Sequence, residues 1–148
     1  MTGKTITVEL SQKHDYQFDI TFGGDVPSLM SDEPAPLGAG LGPSPVQMLC
    51  AAVGNCLSDS LLFAFRKFKQ TPEPLRCTVT AEVGRNTDNR LRVLSMQAHI
   101  HMGVAGDALA QRDHVLASFE EYCTVTQSVG QGIPIAVSVY DSAGVQLK

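Results

Sequence analysis

The sequence predicts an α+β fold, with buried helices packed on antiparallel sheet. Three observations carry this. Strand-like alternation flanks a long apolar segment on both sides. That segment, GPSPVQMLCAAVGNCLSDSLLFAF, runs from Gly42 to Phe65 with one charged residue, Asp59, and begins with helix-start signals. A second helical pattern then precedes a closing strand. At 148 residues the chain is long enough for one real core and reads as a single domain over 1–148.

The elements follow in order. Residues 4–10 and 16–22 alternate well enough for a hairpin turning at SQKHD. A Gly/Pro-rich loop, SDEPAPLGAGLGPSP, leads into the first helix. Ser44 fits the N-cap, Pro45 the first helical position and Gln47 the third, which completes a capping box. That helix ends before Pro72 and Pro74. Residues 76–84 and 90–102 form a second hairpin with its turn near Asn86–Asn89. Asp107 or Asp113 opens a second helix carrying Val115, Leu116, Phe119, Tyr122 and Cys123. IPIAVSVY closes the chain as a strand, giving the order βββ-α-ββ-α-β.

Composition excludes several functions. The net charge of -4, with no basic run and no arginine-aromatic pattern, argues against a nucleic-acid partner. The central segment has nearly the length to span a membrane. However, Gln47, Asn55, Ser58, Asp59 and Ser60 interrupt it, which points to the buried central helix of a soluble fold and no membrane partner. The N-terminus, MTGKTITVEL, lacks the apolar core and cleavage site of a secretory signal. A cytoplasmic location follows as the expectation, with cysteines reduced at rest. Cys50, Cys56, Cys77 and Cys123 form no CxxC pair, which disfavours structural zinc. His99 and His101 share one strand face, without a third ligand in the pattern, so no metal is expected.

Two of the thiols stand in suggestive surroundings. Cys56 lies in mid-helix beside Asn55, with Asp59 and Ser60 at i+3 and i+4 on the same face. Cys123 precedes Thr124, Val125, Thr126 and Gln127. If the chain bends there and a new helical turn starts, its amide groups favour a thiolate. Buried, inert thiols fit both positions as well. Cys50 lies about 120° around the helix from Cys56 and reads as core. Cys77 opens a strand and carries no functional signal.

The stretch GPSPVQMLCAAVGNCLSDSL resembles the central-helix signature of the OsmC/Ohr family, the osmotically inducible and organic hydroperoxide resistance proteins. FEEYCTVTQSV resembles the family's second signature, in which a cysteine starts the last helical region. DEPAPLGAGLGPSP resembles the loop leading into the helix, and the resemblance spans the chain in order and spacing. It implies an OsmC-like fold: an intertwined homodimer, with long central helices buried between antiparallel sheets. It also implies a thiol peroxidase that needs no cofactor. In that cycle Cys56 is the peroxidatic cysteine, Cys123 the resolving one, and an external dithiol the reductant. The substrate would be an alkyl hydroperoxide.

The chain departs from the family pattern at two places. The family's helix-start glutamate falls on Val46 or Gln47, and its hairpin arginine has no counterpart beyond Lys13 in SQKHD. Lysine keeps the charge but loses the two-pronged geometry. Lys13, Gln47 and Asp59 are therefore candidate supporting residues. A carboxylate near Cys56 raises the thiol pKa unless a cation intervenes. Asp59 either anchors such a cation or caps a polar pocket, in both cases facing the cavity of Cys56 and a donor from the other subunit. Two functions remain open: hydroperoxide reduction, or a non-catalytic dimer that binds a small apolar or sulfur-containing ligand.

Overall fold

The computed structural model describes residues 2–148. They divide into two compact units, the first ending at Met48 and the second running from Leu49 to Lys148. The first unit holds a three-stranded antiparallel sheet of β1 (Glu9–His14), β2 (Gln17–Thr21) and β3 (Leu29–Ser31). The expected first strand at 4–10 is displaced. β1 starts at Glu9 and runs through most of SQKHD, so the turn tightens to Asp15 and Tyr16. The cause is local. Asp15 adopts a φ of 48°, which aspartate tolerates, and its carbonyl accepts a bond from the Gln12 side-chain amide at 3.0 Å.

The loop after β3 is organised around one carboxylate. Asp32 is only 2% exposed and accepts backbone N–H bonds from Glu33 at 2.8 Å, Leu41 at 3.0 Å and Ala39 at 3.3 Å. The Leu41 bond above all, with Glu33, Gln17 and Ala39, holds its carboxyl below the usual range, although burial opposes this. The glycine of LGPSP is also required: a Cβ on Gly42 would stand 2.1 Å from the Met30 carbonyl oxygen. The loop delivers the chain to α1 (Pro45–Lys67) through the expected capping box. The Gln47 amide donates to Ser44 Oγ at 3.3 Å, and the Ser44 amide donates to Gln47 Oε1 at 2.9 Å.

The second unit packs α1 on a three-stranded sheet of β4 (Arg76–Arg85), β5 (Leu91–His101) and β6 (Ile135–Tyr140). β4 and β5 are antiparallel, but β6 runs parallel to β5, so this sheet is mixed where an antiparallel one was expected. The helical crossover between β5 and β6 returns the chain in the same direction, which a tight hairpin cannot do. Val53, Leu57, Leu61 and Phe65, spaced four apart, form a wholly buried stripe on α1. It shares a core with Met96, Ala98, Ile100 and Val139 from the sheet. α1 has the length and apolarity to cross a membrane, yet this stripe packs as the core helix of a soluble fold does. The rest of α1 is not enclosed within one chain: Phe63 is 60% exposed, whereas burial on most sides was expected.

The second helix is also broken. α2 (Arg112–Ser118) gives way to a 3-10 turn at Phe119–Tyr122, and α3 (Thr124–Val129) begins anew. Asp113 falls in the first turn of α2, one residue inside its start. Cys123 occupies the break itself, as the N-cap of α3, with extended backbone at φ -81° and ψ 97°.

Candidate functional site

The break in the second helix builds the site. The Cys123 amide bonds back to the Glu120 carbonyl at 3.1 Å and closes the 3-10 turn. The chain then swings into α3, whose first amides have no partner within the helix. Cys123 is wholly buried there and its thiol donates to Thr126 Oγ1 at 2.9 Å. Cys56, half-buried on α1, lies close enough to Cys123 and to the backbone N–H of Val125 for both to act on its thiol. Two cysteines far apart in sequence thus meet at the start of one helical turn.

The electrostatics of Cys56 run in both directions. Burial pushes its thiol up, and the neighbouring Cys123 thiol adds to this. The Val125 amide pulls the other way, as a helix N-terminus should. The charges of Cys123 and Asp59 complete the upward shift. The net effect is a thiol pushed up, with no cation from the described residues among the groups that set it. The two basic residues ending α1 are engaged elsewhere. Arg66 pairs with Glu73, and the Lys67 ammonium stands 4.8 Å from the Phe63 ring and 5.4 Å from the Tyr122 ring.

Asp59 differs from its expectation. It is exposed, and Oδ2 accepts a bond at 2.8 Å from the side-chain amide of Asn55, on its own helix. Within this chain, its donor is neutral. Asp59 lines a groove of about 500 Å³ with Cys50, Ala51, Gly54, Asn55, Ser58, Cys77 and Val79, and Cys56 is not part of that lining. The physical reason is angular. A separation of i+3 leaves about 60° around a helix, enough for a short side chain to turn into the neighbouring groove. Its charge still reaches Cys56 and still disfavours the thiolate.

Cys50 is half-buried and packs against the core, as expected, and it shares that groove with Cys77. Burial pushes both thiols up. Lys13 and Gln47 have partners inside the first unit. Lys13 Nζ pairs with Asp19 at 3.4 Å, and the Gln47 side chain belongs to the capping box. On the outward sheet face, His99 and His101 stack on Tyr140 at centroid distances of 5.7 and 4.9 Å. No group of three metal-ligating side chains occurs among the described residues.

Two contributors escaped the sequence reading: the particular amide of Val125, and the Thr126 hydroxyl. The spacing Cys123-Thr124-Val125-Thr126 carried a signal for the second, because an N-cap residue and the residue three further on face each other at a helix start.

A family model described as OsmC-like protein matches residues 38–138, a span that includes Cys56 and Cys123. No curated protein matches the sequence. Solved structures do. An OsmC-like protein of unknown function from Vibrio cholerae superposes with a TM-score of 0.78 at 15% identity, covering 93% of this chain and 99% of that one. An organic hydroperoxide resistance protein from Legionella pneumophila gives 0.71 at 16% identity, over 94% and 98% of the two chains. One from Elizabethkingia anophelis gives 0.72 at 13% identity, over 95% and 99%. At these identities the likeness is one of fold.

Proposed function

The chain belongs to the OsmC-like protein family, and from that premise we propose that it reduces organic hydroperoxides through Cys56 and Cys123. The observation that supports this most is the proximity of Cys56 on α1 to Cys123 at the N-cap of α3, whose thiol donates to Thr126 Oγ1 at 2.9 Å. The chemistry runs in three steps. Cys56 thiolate attacks the O–O bond of a hydroperoxide; the distal oxygen stays on sulfur as a sulfenic acid, and the alkoxide leaves and takes a proton to become an alcohol. Cys123 then attacks the Cys56 sulfur. The S–S bond forms, the S–O bond breaks, and the hydroxyl leaves as water with the Cys123 proton. An external dithiol finally reduces the disulfide by exchange and is itself oxidised. No cofactor takes part.

The raised Cys56 pKa calls for a cation in the working site. We assign that cation to the second protomer of a homodimer. Large apolar side chains left open in each unit support such an assembly: Ile6 at 77% and Leu41 at 67% in the first, Leu91 at 61% and Tyr122 at 67% in the second. A reducing compartment such as the cytoplasm suits four free thiols.

One observation favours a second reading. Burial, Cys123 and Asp59 all disfavour the Cys56 thiolate, as fits a non-catalytic dimer that holds a small apolar or sulfur-containing ligand. Brief exposure to cumene hydroperoxide followed by mass spectrometry separates the two. Rapid, selective formation of the Cys56–Cys123 disulfide, lost in Cys56→Ser, supports the peroxidase. Slow, uniform oxidation of all four thiols supports the binder.

A further inference from the structure

Thr126 is among the few polar side chains in this chain withdrawn from water, at 6% exposure. Its hydroxyl accepts a bond from the Cys123 thiol at 2.9 Å, its one side-chain hydrogen bond among the described residues. The Cys123 sulfur does not take the backbone-capping role usual at an N-cap, so its side chain is directed to Thr126 and to Cys56 instead. We propose that Thr126 is the positioning residue for the resolving step, holding the Cys123 sulfur at the place where the bond to Cys56 forms. This rests on the peroxidase reading for its biological use, but the geometry concerns any attack by Cys123 on Cys56.

Three physical points carry the proposal. The threonine is β-branched, so in a helix its Oγ1 is confined to two rotamers, and the one occupied here sets it against the Cys123 sulfur. A hydroxyl both accepts and donates. It accepts the S–H of resting Cys123, then rotates to donate to the sulfur as that proton passes to the leaving group. The site is wholly buried at Cys123, so when the hydroxyl is removed the surrounding core offers the thiol no equivalent partner. Thr126 is not consumed, and it touches neither substrate nor the breaking S–O bond.

The test isolates the resolving step from peroxide chemistry. In a background with Cys50 and Cys77 replaced by alanine, 5,5′-dithiobis(2-nitrobenzoate) reacts first at Cys56 and releases one thionitrobenzoate. Cys123 then attacks the mixed disulfide and releases a second. Thr126→Val keeps the shape and removes the hydroxyl. The expected result is an unchanged first phase and a second phase slowed about tenfold, the worth of one lost hydrogen bond. Thr126→Ser should recover the wild-type second phase to within about threefold. With hydroperoxide, Thr126→Val should likewise lengthen the life of the Cys56 sulfenic acid, read by dimedone trapping. Four outcomes overturn the proposal: a second phase at the wild-type rate in Thr126→Val, both phases slowed together, no recovery in Thr126→Ser, or a wild type with no second phase. A wild type that shows both phases yet ignores hydroperoxide defeats the peroxidase reading and leaves the role of Thr126 to be decided by the second phase.

Discussion

Asp59 shows how one carboxylate can stand near a thiol without serving it. Its hydrogen bond goes to Asn55, and what reaches Cys56 is charge alone. The sign of a substitution follows. Asp59→Asn removes a like charge, lowers the Cys56 pKa and raises its thiolate fraction at neutral pH. Iodoacetamide alkylation of Cys56 at pH 7 should speed by about two- to threefold, a modest factor because the carboxylate is exposed and screened. In the wild-type homodimer, with the proposed cation acting on Cys56, the alkylation rate should level off below the ordinary thiol value of about 8.5; a rate that keeps rising beyond it is what the chain's own groups produce and would remove the cation. Identical pH profiles for the two proteins would mean that Asp59 is electrostatically remote.

At the scale of elements, close packing and a buried carboxylate make three further tests. The α1–sheet contact depends on Gly54, where a Cβ would stand 2.7 Å from Val79 Cγ2 and 3.3 Å from Cys77 Sγ. Val79 is a stiff side chain on a strand, so the helix or the strand must move. Gly54→Ala should destabilise the protein by about 1–3 kcal/mol through overpacking, read from the denaturant midpoint. Leu57→Ala, at the wholly buried stripe, should cost about 2–5 kcal/mol in the same assay. The loop before α1 makes a pH prediction. The Asp32 carboxyl is held below its usual pKa by N–H donors, so its contribution is present above the unfolded value of about 3.9 and is lost as pH falls through the folded value. Asp141 behaves in the same way, with its oxygens on the amides of Gly106, Ala143 and Val145. Thermal denaturation should show a steep acid-side fall that is shallower in Asp32→Asn. An unchanged acid limb in that variant would remove the loop from the account.

At the scale of the whole molecule, the assembly is the open quantity with the largest consequence. The homodimer proposed above should bury more than about 2,000 Å² in total, as stable obligate dimers do. Sedimentation equilibrium at micromolar concentration should return twice the chain mass of 15.8 kDa. A folded, stable monomer under those conditions would remove the dimer and, with it, the source assigned to the missing cation. Hydroperoxide turnover should then fail even though the two thiols are neighbours.

Pattern alone determined a good deal. The capping box at Ser44 and Gln47, the long apolar α1, the β4–β5 hairpin and the alternation of helix and strand are local signals. They arise from periodicities and end-groups that neighbouring residues carry. The bend at Cys123 was legible as a conditional: a cysteine ahead of a polar, threonine-rich turn. What local pattern cannot carry is direction in space between distant residues. Only the tertiary structure decided that β6 runs parallel to β5, because the crossover, not the strand's own sequence, sets that choice. It also turned Asp59 into the groove of Cys50 and Cys77, since a helix periodicity gives a face only to within tens of degrees. The last of these decisions is the amide of Val125. A backbone N–H has no residue identity to read, and its place at the Cys56 sulfur exists only because the core packs α3 against α1.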